Sequence, residues 1–250
     1  MKLDKVIGKG NTAVVYDIGD EKVLKLFNEG YPLSSIKYEL KNSLLFCDFD
    51  LISPKVYDIL DIKTQHGIVY EKLTGESLLD IVLSNYDLQN CAKTMASLHK
   101  KILVNVTPEI VDYKDFLKKN IVKANKDNPK KLDELLNKLK LLDEQENICH
   151  GDFHPGNIII TNEGPAIIDF MNICKGPKLY DIARTVYLVE YTPVPKETPN
   201  RDEIVTFKHN LASVYLEEMK VKRSDIKDYI EIINEARKGE CPFEFETKEV

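Results

Sequence analysis

The sequence has no apolar run approaching the ~18 residues needed to cross a bilayer. Its opening residues, Met1-Lys2-Leu3-Asp4-Lys5, lack the apolar segment of a secretory leader. Both absences point to a cytoplasmic protein with no membrane partner. An excess of positive charge is missing too. Lys and Arg number 35 against 41 Asp and Glu, a formal charge of −6. A phosphate-backbone binder needs the opposite balance, so nucleic acid is not an expected partner. The five cysteines, Cys47, Cys91, Cys149, Cys174 and Cys241, are odd in number and form no C-x-x-C pair. Buried, reduced thiols are the reading that follows. Internal repeats and low-complexity stretches are also absent.

What is present is the composition of a folded protein, 43% hydrophobic and 30% charged. The 250 residues suffice for one large domain or two modest ones. A chain of this length buries about 70–75% of its unfolded surface and needs no covalent staple.

The first seventy residues read as strands with one helix. Lys2–Ile7, Ala13–Ile18 and Lys22–Phe27 carry strand patterns, and Gly19-Asp20 joins the latter two as a hairpin connection would. Ile36, Leu40 and Leu44 recur at helical spacing and predict a helix from about Pro32 to Phe46. Val56–Leu60 and Ile68–Glu71 are two further strands. From Glu76 onward the period is helical. Leu88, Cys91, Met95, Leu98 and Ile102 mark one face, and Tyr113, Phe116, Leu117, Ile121 and Ala124 a second. The third, Leu132, Leu135, Leu136, Leu139 and Leu142, is too short for a coiled-coil seam and reads as a core face. A short non-helical stretch, Asn147–Asp169, interrupts the helices. They resume at Leu179–Glu190, Arg201–Met219 and Ser224–Arg237, before an acidic, loose tail at Glu240–Val250. The expected division is a β-rich lobe over 1–72 and a helical lobe over 73–250, with the ligand in the crevice between them.

Gly8-Lys9-Gly10-Asn11-Thr12-Ala13 has the form G-x-G-x-x-A. A dinucleotide-binding loop must run into a helix. This one runs into the strand pattern Val14–Ile18 and lacks a G-K-[ST] ending. Two readings remain, an ordinary hairpin turn and a flap whose backbone N–H groups approach a nucleotide's phosphates. Lys25 lies within the apolar strand Val23-Leu24-Lys25-Leu26-Phe27. A buried ammonium needs an anion, either phosphate or Glu39 on the following helix. The alternative is an edge-strand lysine facing solvent.

The most informative stretch is His150-Gly151-Asp152-Phe153-His154-Pro155-Gly156-Asn157, followed by an apolar strand, a turn and Ile167-Ile168-Asp169-Phe170. A hairpin between the two strands would bring Asp152, Asn157 and Asp169 together. A zinc site on His150 and His154 is a rival, but Gly151, Pro155 and Gly156 exclude a helical i,i+4 pair, and a third ligand such as Asp152 or Asp169 would be needed.

These residues carry a resemblance. H-G-D-x-H-x-x-N at 150–157, I-D-F at 168–170 and D-I-A at 181–183 resemble the aminoglycoside phosphotransferase and choline kinase group of small-molecule kinases, relatives of protein kinases. The glycine loop, Lys25, Glu39 and the segment 69–75 fall in the expected order, so the likeness spans roughly Lys5 to Phe207. It implies an α+β, bilobal protein-kinase-like fold, with a small antiparallel sheet and one helix in the N-lobe and a mainly helical C-lobe. It implies ATP, or GTP, and Mg2+ as cofactors. Asp152 would be the catalytic base, and Asn157 and Asp169 the magnesium ligands. Gly8, Gly10, Asn11 and Thr12 would cover the phosphates, Lys25 held by Glu39 would contact them, and the backbone of Glu71 and Leu73 would meet adenine. Asp181 would brace the catalytic loop, unless it is only a carboxylate favoured at a helix N-terminus.

Three departures separate the chain from protein kinases. Met171 stands where D-F-G has glycine, Gly151 stands where arginine is usual, and no A-P-E follows. The expected function is therefore phosphoryl transfer to a hydroxyl of a small polar molecule by a monomer or weak dimer. The alternatives are a nucleotide-binding regulatory module without turnover and a minimal protein kinase. Glu190, Asp202, Glu203, Glu217, Glu218, Glu231 and Glu235 would favour a cationic acceptor if they face the cleft; otherwise they form a solvated acidic surface.

Overall fold

The computed structural model describes Leu3 and residues 5–245. In chain order the elements are β1 (Lys5–Lys9), β2 (Ala13–Gly19), β3 (Lys22–Phe27), α1 (Leu33–Cys47), β4 (Val56–Ile62), β5 (Gln65–Glu71), β6 (Gly75–Ser77), α2 (Leu78–Asn85), α3 (Leu88–Leu103), α4 (Tyr113–Ala124), α5 (Pro129–Leu141), β7 (Asn147–Cys149), β8 (Ile158–Thr161), β9 (Gly164–Ile167), β10 (Cys174–Gly176), α6 (Lys178–Val186), α7 (Arg201–Met219) and α8 (Lys227–Glu240). The expected strand at 2–7 appears as β1, with Lys2 outside the described residues; of the expected tail, 246–250 lie outside them as well.

The chain forms two compact units. Unit 1 runs to Asn85 and also takes in Pro155–Asn172; unit 2 comprises Tyr86–His154 and the chain from Ile173 onward. Unit 1 thus differs from the expected 1–72. The reason is strand pairing. β6 pairs antiparallel with β8, and β8 with β9, so a three-stranded sheet ties 75–77 to 158–167.

Unit 1 is built on a five-stranded antiparallel sheet in the order β1-β2-β3-β5-β4. Residues 19–21 turn the chain between β2 and β3 with positive φ at Gly19, Asp20 and Glu21. α1 begins after Pro32, which presets the backbone without donating a hydrogen bond. Its buried Ile36 packs with Ala13, Val23, Phe27, Ile68 and Tyr70 of the sheet.

Unit 2 is helical, and its caps are legible residues. Asp87, Asp112 and Asn128 accept backbone N–H bonds from Asn90, Lys114 and Lys131 at the starts of α3, α4 and α5. Cys91, Met95, Leu98 and Ile102 are buried along α3 as the periodicity requires, and Leu135 and Leu139 of the leucine stripe are buried core residues. α6 ends four residues earlier than the expected helix and continues as a π-turn over Tyr187–Tyr191. β7 and β10 pair antiparallel, setting Cys149 opposite Cys174; all five cysteines are free thiols. Among the described residues no helix is long and apolar enough to cross a membrane.

Candidate active site

In unit 1 six of the sequence-predicted residues, Gly8, Lys25, Glu39, Glu71, Leu73 and Asp169, line one cavity of ≈ 270 Å³, while Gly10, Asn11, Thr12 and Asn157 lie outside its lining. Val15, Val23, Ile159 and Ile168 give it apolar walls, while Lys25, Glu39, Glu71, Lys72 and Asp169 are its charged lining. Lys25 is central. Its Nζ donates to Glu39 Oε1 at 2.8 Å and to Asp169 Oδ1 at 3.0 Å, with the side chain 13% exposed. The sheet supplies the lysine, α1 the glutamate and the β8–β9 hairpin the aspartate. Burial alone would push the Lys25 ammonium down; the carboxylates of Asp169 and Glu39 outweigh it and hold its pKa above the usual value. The edge-strand alternative for Lys25 therefore fails.

Burial raises the Glu39 carboxyl above its usual range, with Lys25 opposing and Asp169 adding to the shift. The same Glu39 Oε1 accepts the Tyr70 hydroxyl at 3.0 Å, and Tyr70 lies 3.0 Å from the Ser43 hydroxyl. Tyr70 thus bolts β5 to α1 at two positions.

The hairpin places Asn157 and Asp169. Ile158 stands opposite Ile167, and the Ile168 N–H donates to the Asn157 carbonyl at 3.1 Å. Both residues therefore sit at the open end of the hairpin. Asp169 has φ +68°, a left-handed conformation uncommon for a residue with a side chain. The next residue is anchored: Asn42 Nδ2 donates to the Phe170 carbonyl at 2.9 Å, and the Phe170 ring packs 4.5 Å from Phe46.

Gly8, Glu71 and Leu73 line the cavity, whereas Gly10, Asn11 and Thr12 form the turn beyond its lining. That turn is tied down. Gly10 N–H donates to Ala13 O at 2.9 Å, Asn28 Nδ2 to Asn11 O at 2.9 Å and Asn28 N–H to Thr12 O at 2.8 Å. Beyond β5, the Lys72 N–H donates to Glu21 O at 2.8 Å.

Asp152 belongs to unit 2, where a buried polar network holds its loop. Asp181, at the start of α6, accepts the His150 N–H at 2.6 Å and the Gly151 N–H at 2.9 Å. Gly151 has φ +73°, which a side chain would disfavour, so the loop's path needs glycine there. Asp181 is fully buried, which would raise its pKa; the adjacent His99 imidazole and the Gly151 N–H hold it below the usual value instead. Asp181 therefore braces the loop and is more than a helix-end charge. Arg184, also fully buried, donates from Nε to Gly151 O at 3.0 Å and from Nη2 to Glu240 Oε1 at 2.6 Å.

Sequence reasoning missed His99, Arg184, Tyr215, Glu240 and the bridging role of Tyr70. A signal existed for two of them. His99 and Arg184 are polar side chains amid apolar helical runs, where a buried partner is required.

The donor set suits a hard divalent cation. Asn157 and Asp169 offer oxygen ligands, and the Asp169 carboxylate lies at the cavity. Among the described residues no group of three or more His, Cys, Asp or Glu side chains is placed to hold a metal.

Comparison with known proteins extends this picture. The profile of the phosphotransferase enzyme family matches residues 5–200. No curated protein matches the chain. Solved structures share its fold. An aminoglycoside-3'-phosphotransferase of type VIII superposes with a TM-score of 0.64 at 15% identity, covering 92% of each chain. The aminoglycoside phosphotransferase APH(3'')-Id of Streptomyces rimosus, solved with ADP and streptomycin, gives 0.62 at 13% identity over 89% of this chain and 90% of its own. A choline/ethanolamine kinase family protein of Mesorhizobium loti gives 0.60 at 11% identity over 98% and 80%. The fold is thus the α+β protein-kinase-like one expected.

Proposed function

Because the chain belongs to the phosphotransferase enzyme family, we propose that it moves the γ-phosphoryl group of ATP to a hydroxyl of a small polar molecule. The observation that carries this reading is the Lys25 ammonium bound to both Glu39 and Asp169 at one apolar cavity. Such a cavity takes an adenine between its apolar walls, with Glu71 and Leu73 at its edge and Lys25 toward the phosphates. A Cβ on Gly8 would meet only Val15, at 3.6 Å, so the fold itself leaves room for a side chain there. A phosphate approaching the backbone supplies a reason for glycine. ATP is favoured over GTP because structural neighbours were solved with ADP and with AMP-PNP.

The chemistry then assigns roles. The acceptor oxygen forms a bond to the γ-phosphorus while the bond from that phosphorus to the β–γ bridging oxygen breaks, and ADP leaves. Asp152 orients the acceptor hydroxyl and takes its proton. Lys25, fixed by Glu39, neutralises phosphate charge. Asn157 and Asp169 would hold Mg2+, which when bound supplies charge neutralisation on the phosphate oxygens.

APH(3'')-Id was solved with streptomycin, which supports a small polar acceptor here, and a cationic acceptor is the finer reading. Three of the acidic residues of unit 2 already have cationic partners within the chain. Glu190 pairs with His209 and Arg223, Glu231 with Lys138, and Glu235 with Lys131 and Lys238. The test is a mass-spectrometric screen of alcohols, aminoglycosides, choline-like amines and sugars with MgATP. Phosphorylation of a protein and no metabolite would favour the minimal protein kinase. Nucleotide binding without transfer to any acceptor would favour the regulatory module.

A further inference from the structure

The Asp152 loop has a second layer of support that the reaction does not explain. His99 of α3 is wholly buried, and its ring lies 4.3 Å from the Phe153 ring at 25°. Its Nε2 is 2.8 Å from Asp181 Oδ2, and its Nδ1 is 2.5 Å from the Tyr215 hydroxyl of α7. Asp181 is a carboxylate and accepts, so Nε2 carries a proton, while Nδ1 and the Tyr215 hydroxyl share the second hydrogen bond. His99 therefore touches the chain on both sides of Asp152: Phe153 directly, and His150 and Gly151 through Asp181. Tyr215 lies beyond the residues that the family profile matches.

We propose that His99 is a positioning residue for Asp152, clamping residues 150–153 through Asp181 on one side and Phe153 on the other. The proposal rests on Asp152 being the base. A misplacement of about 1 Å in such a group costs roughly 10²-fold in rate. His99 touches no reacting atom; its effect is on where Asp152 sits.

The test uses the full chain with His99→Ala and His99→Gln. Calorimetry reads MgATP affinity. Steady-state assays read γ-phosphoryl transfer from MgATP to water, with and without added imidazole. Hydrogen exchange reads the amides of 148–154. For His99→Ala the expected result is unchanged ATP affinity, kcat down about 10²-fold, partial recovery with imidazole, and faster exchange at 150–153. A merely structural histidine would not give imidazole-dependent turnover at constant ATP affinity. Wild-type kcat, or a loss that tracks ATP binding without imidazole recovery, overturns the proposal. If His99→Ala does not fold, His99→Gln decides. It keeps an N–H for Asp181 but loses the ring against Phe153, so faster exchange and a smaller kcat loss are expected, and wild-type values for both overturn the idea. If the wild-type protein neither binds MgATP nor transfers phosphate, the functional reading fails by itself. The exchange arm still decides the clamp, because it needs no nucleotide.

Discussion

The proposed function gives Lys25, Asp152 and Asp169 separable tasks, and single substitutions distinguish them. Lys25 contacts two carboxylates in the cavity, so Lys25→Ala should weaken MgATP binding and reduce the melting-temperature rise that MgATP produces. Asp152→Asn should keep near-native MgATP affinity and lose activity by ~10²–10⁴-fold, as removal of a general base does. Asp169→Asn should lose magnesium-dependent binding and turnover together. Calorimetric ATP titration with and without magnesium, paired with turnover, reads both; reversed outcomes would reverse the roles. Asp181 gives a pH dependence. Its native pKa lies below the usual value, so its contribution to stability is complete above the unfolded value near 3.9 and fades as pH falls through the native one. Melting temperature should therefore drop below about pH 4, and Asp181→Asn should flatten that part of the profile.

Among the elements, β6 and the β8–β9 hairpin decide the composition of unit 1. A Cβ on Gly75 would stand 2.2 Å from the Ile160 carbonyl oxygen, so β6 can lie against β8 only with glycine at that position. Gly75→Ala should cost on the order of 2–3 kcal/mol, as overpacking against backbone does. Chemical denaturation measures the loss, and an unchanged midpoint would show that the strand shifts freely. The hairpin itself was legible: two apolar runs around Asn162-Glu163-Gly164, with Asn157 and Asp169 just outside them. β6, α2 and β10 were not. Each is held by partners distant in the chain, as β6 is by Ile159–Thr161 and β10 by Asn147–Cys149.

Across the whole chain, the fold ties its C-terminal helix to the loop at 150–153. Arg184 bridges Gly151 O and Glu240, Glu240 also meets Arg237 at 3.1 Å, and Arg237 pairs with Glu244 at 2.6 Å. Glu240→Ala would leave the buried Arg184 charge without its carboxylate, at a cost of about 3 kcal/mol. For a chain of this size that corresponds to a melting-temperature fall of roughly 6–12 °C, read by calorimetry. A change under about 2 °C would show that the ion pair is not needed. In the opposite direction, MgATP at a hundredfold excess over its dissociation constant should stabilise the native state by about 2.7 kcal/mol. An unmoved melting temperature with saturating ATP or GTP and magnesium would refute a nucleotide site.

The sequence by itself determined the elements whose signals are local. Apolar periodicity set the strands and helices, Pro32, Asp87, Asp112 and Asn128 set helix starts, and the ordered motifs at 150–157 and 168–170 set the family. It also marked Lys25 as a charge in need of an anion, but it left phosphate and Glu39 as open choices. Tertiary structure decided that Glu39 and Asp169 share that lysine, that Pro155–Asn172 joins the N-terminal unit, and that His99, Tyr215, Arg184 and Glu240 form the network that holds His150 and Gly151. The physical reason is range. Periodicity and capping act over a few residues, whereas a buried charge is satisfied by whichever partner the fold brings within 3 Å, here 14 residues away for Glu39 and 144 for Asp169.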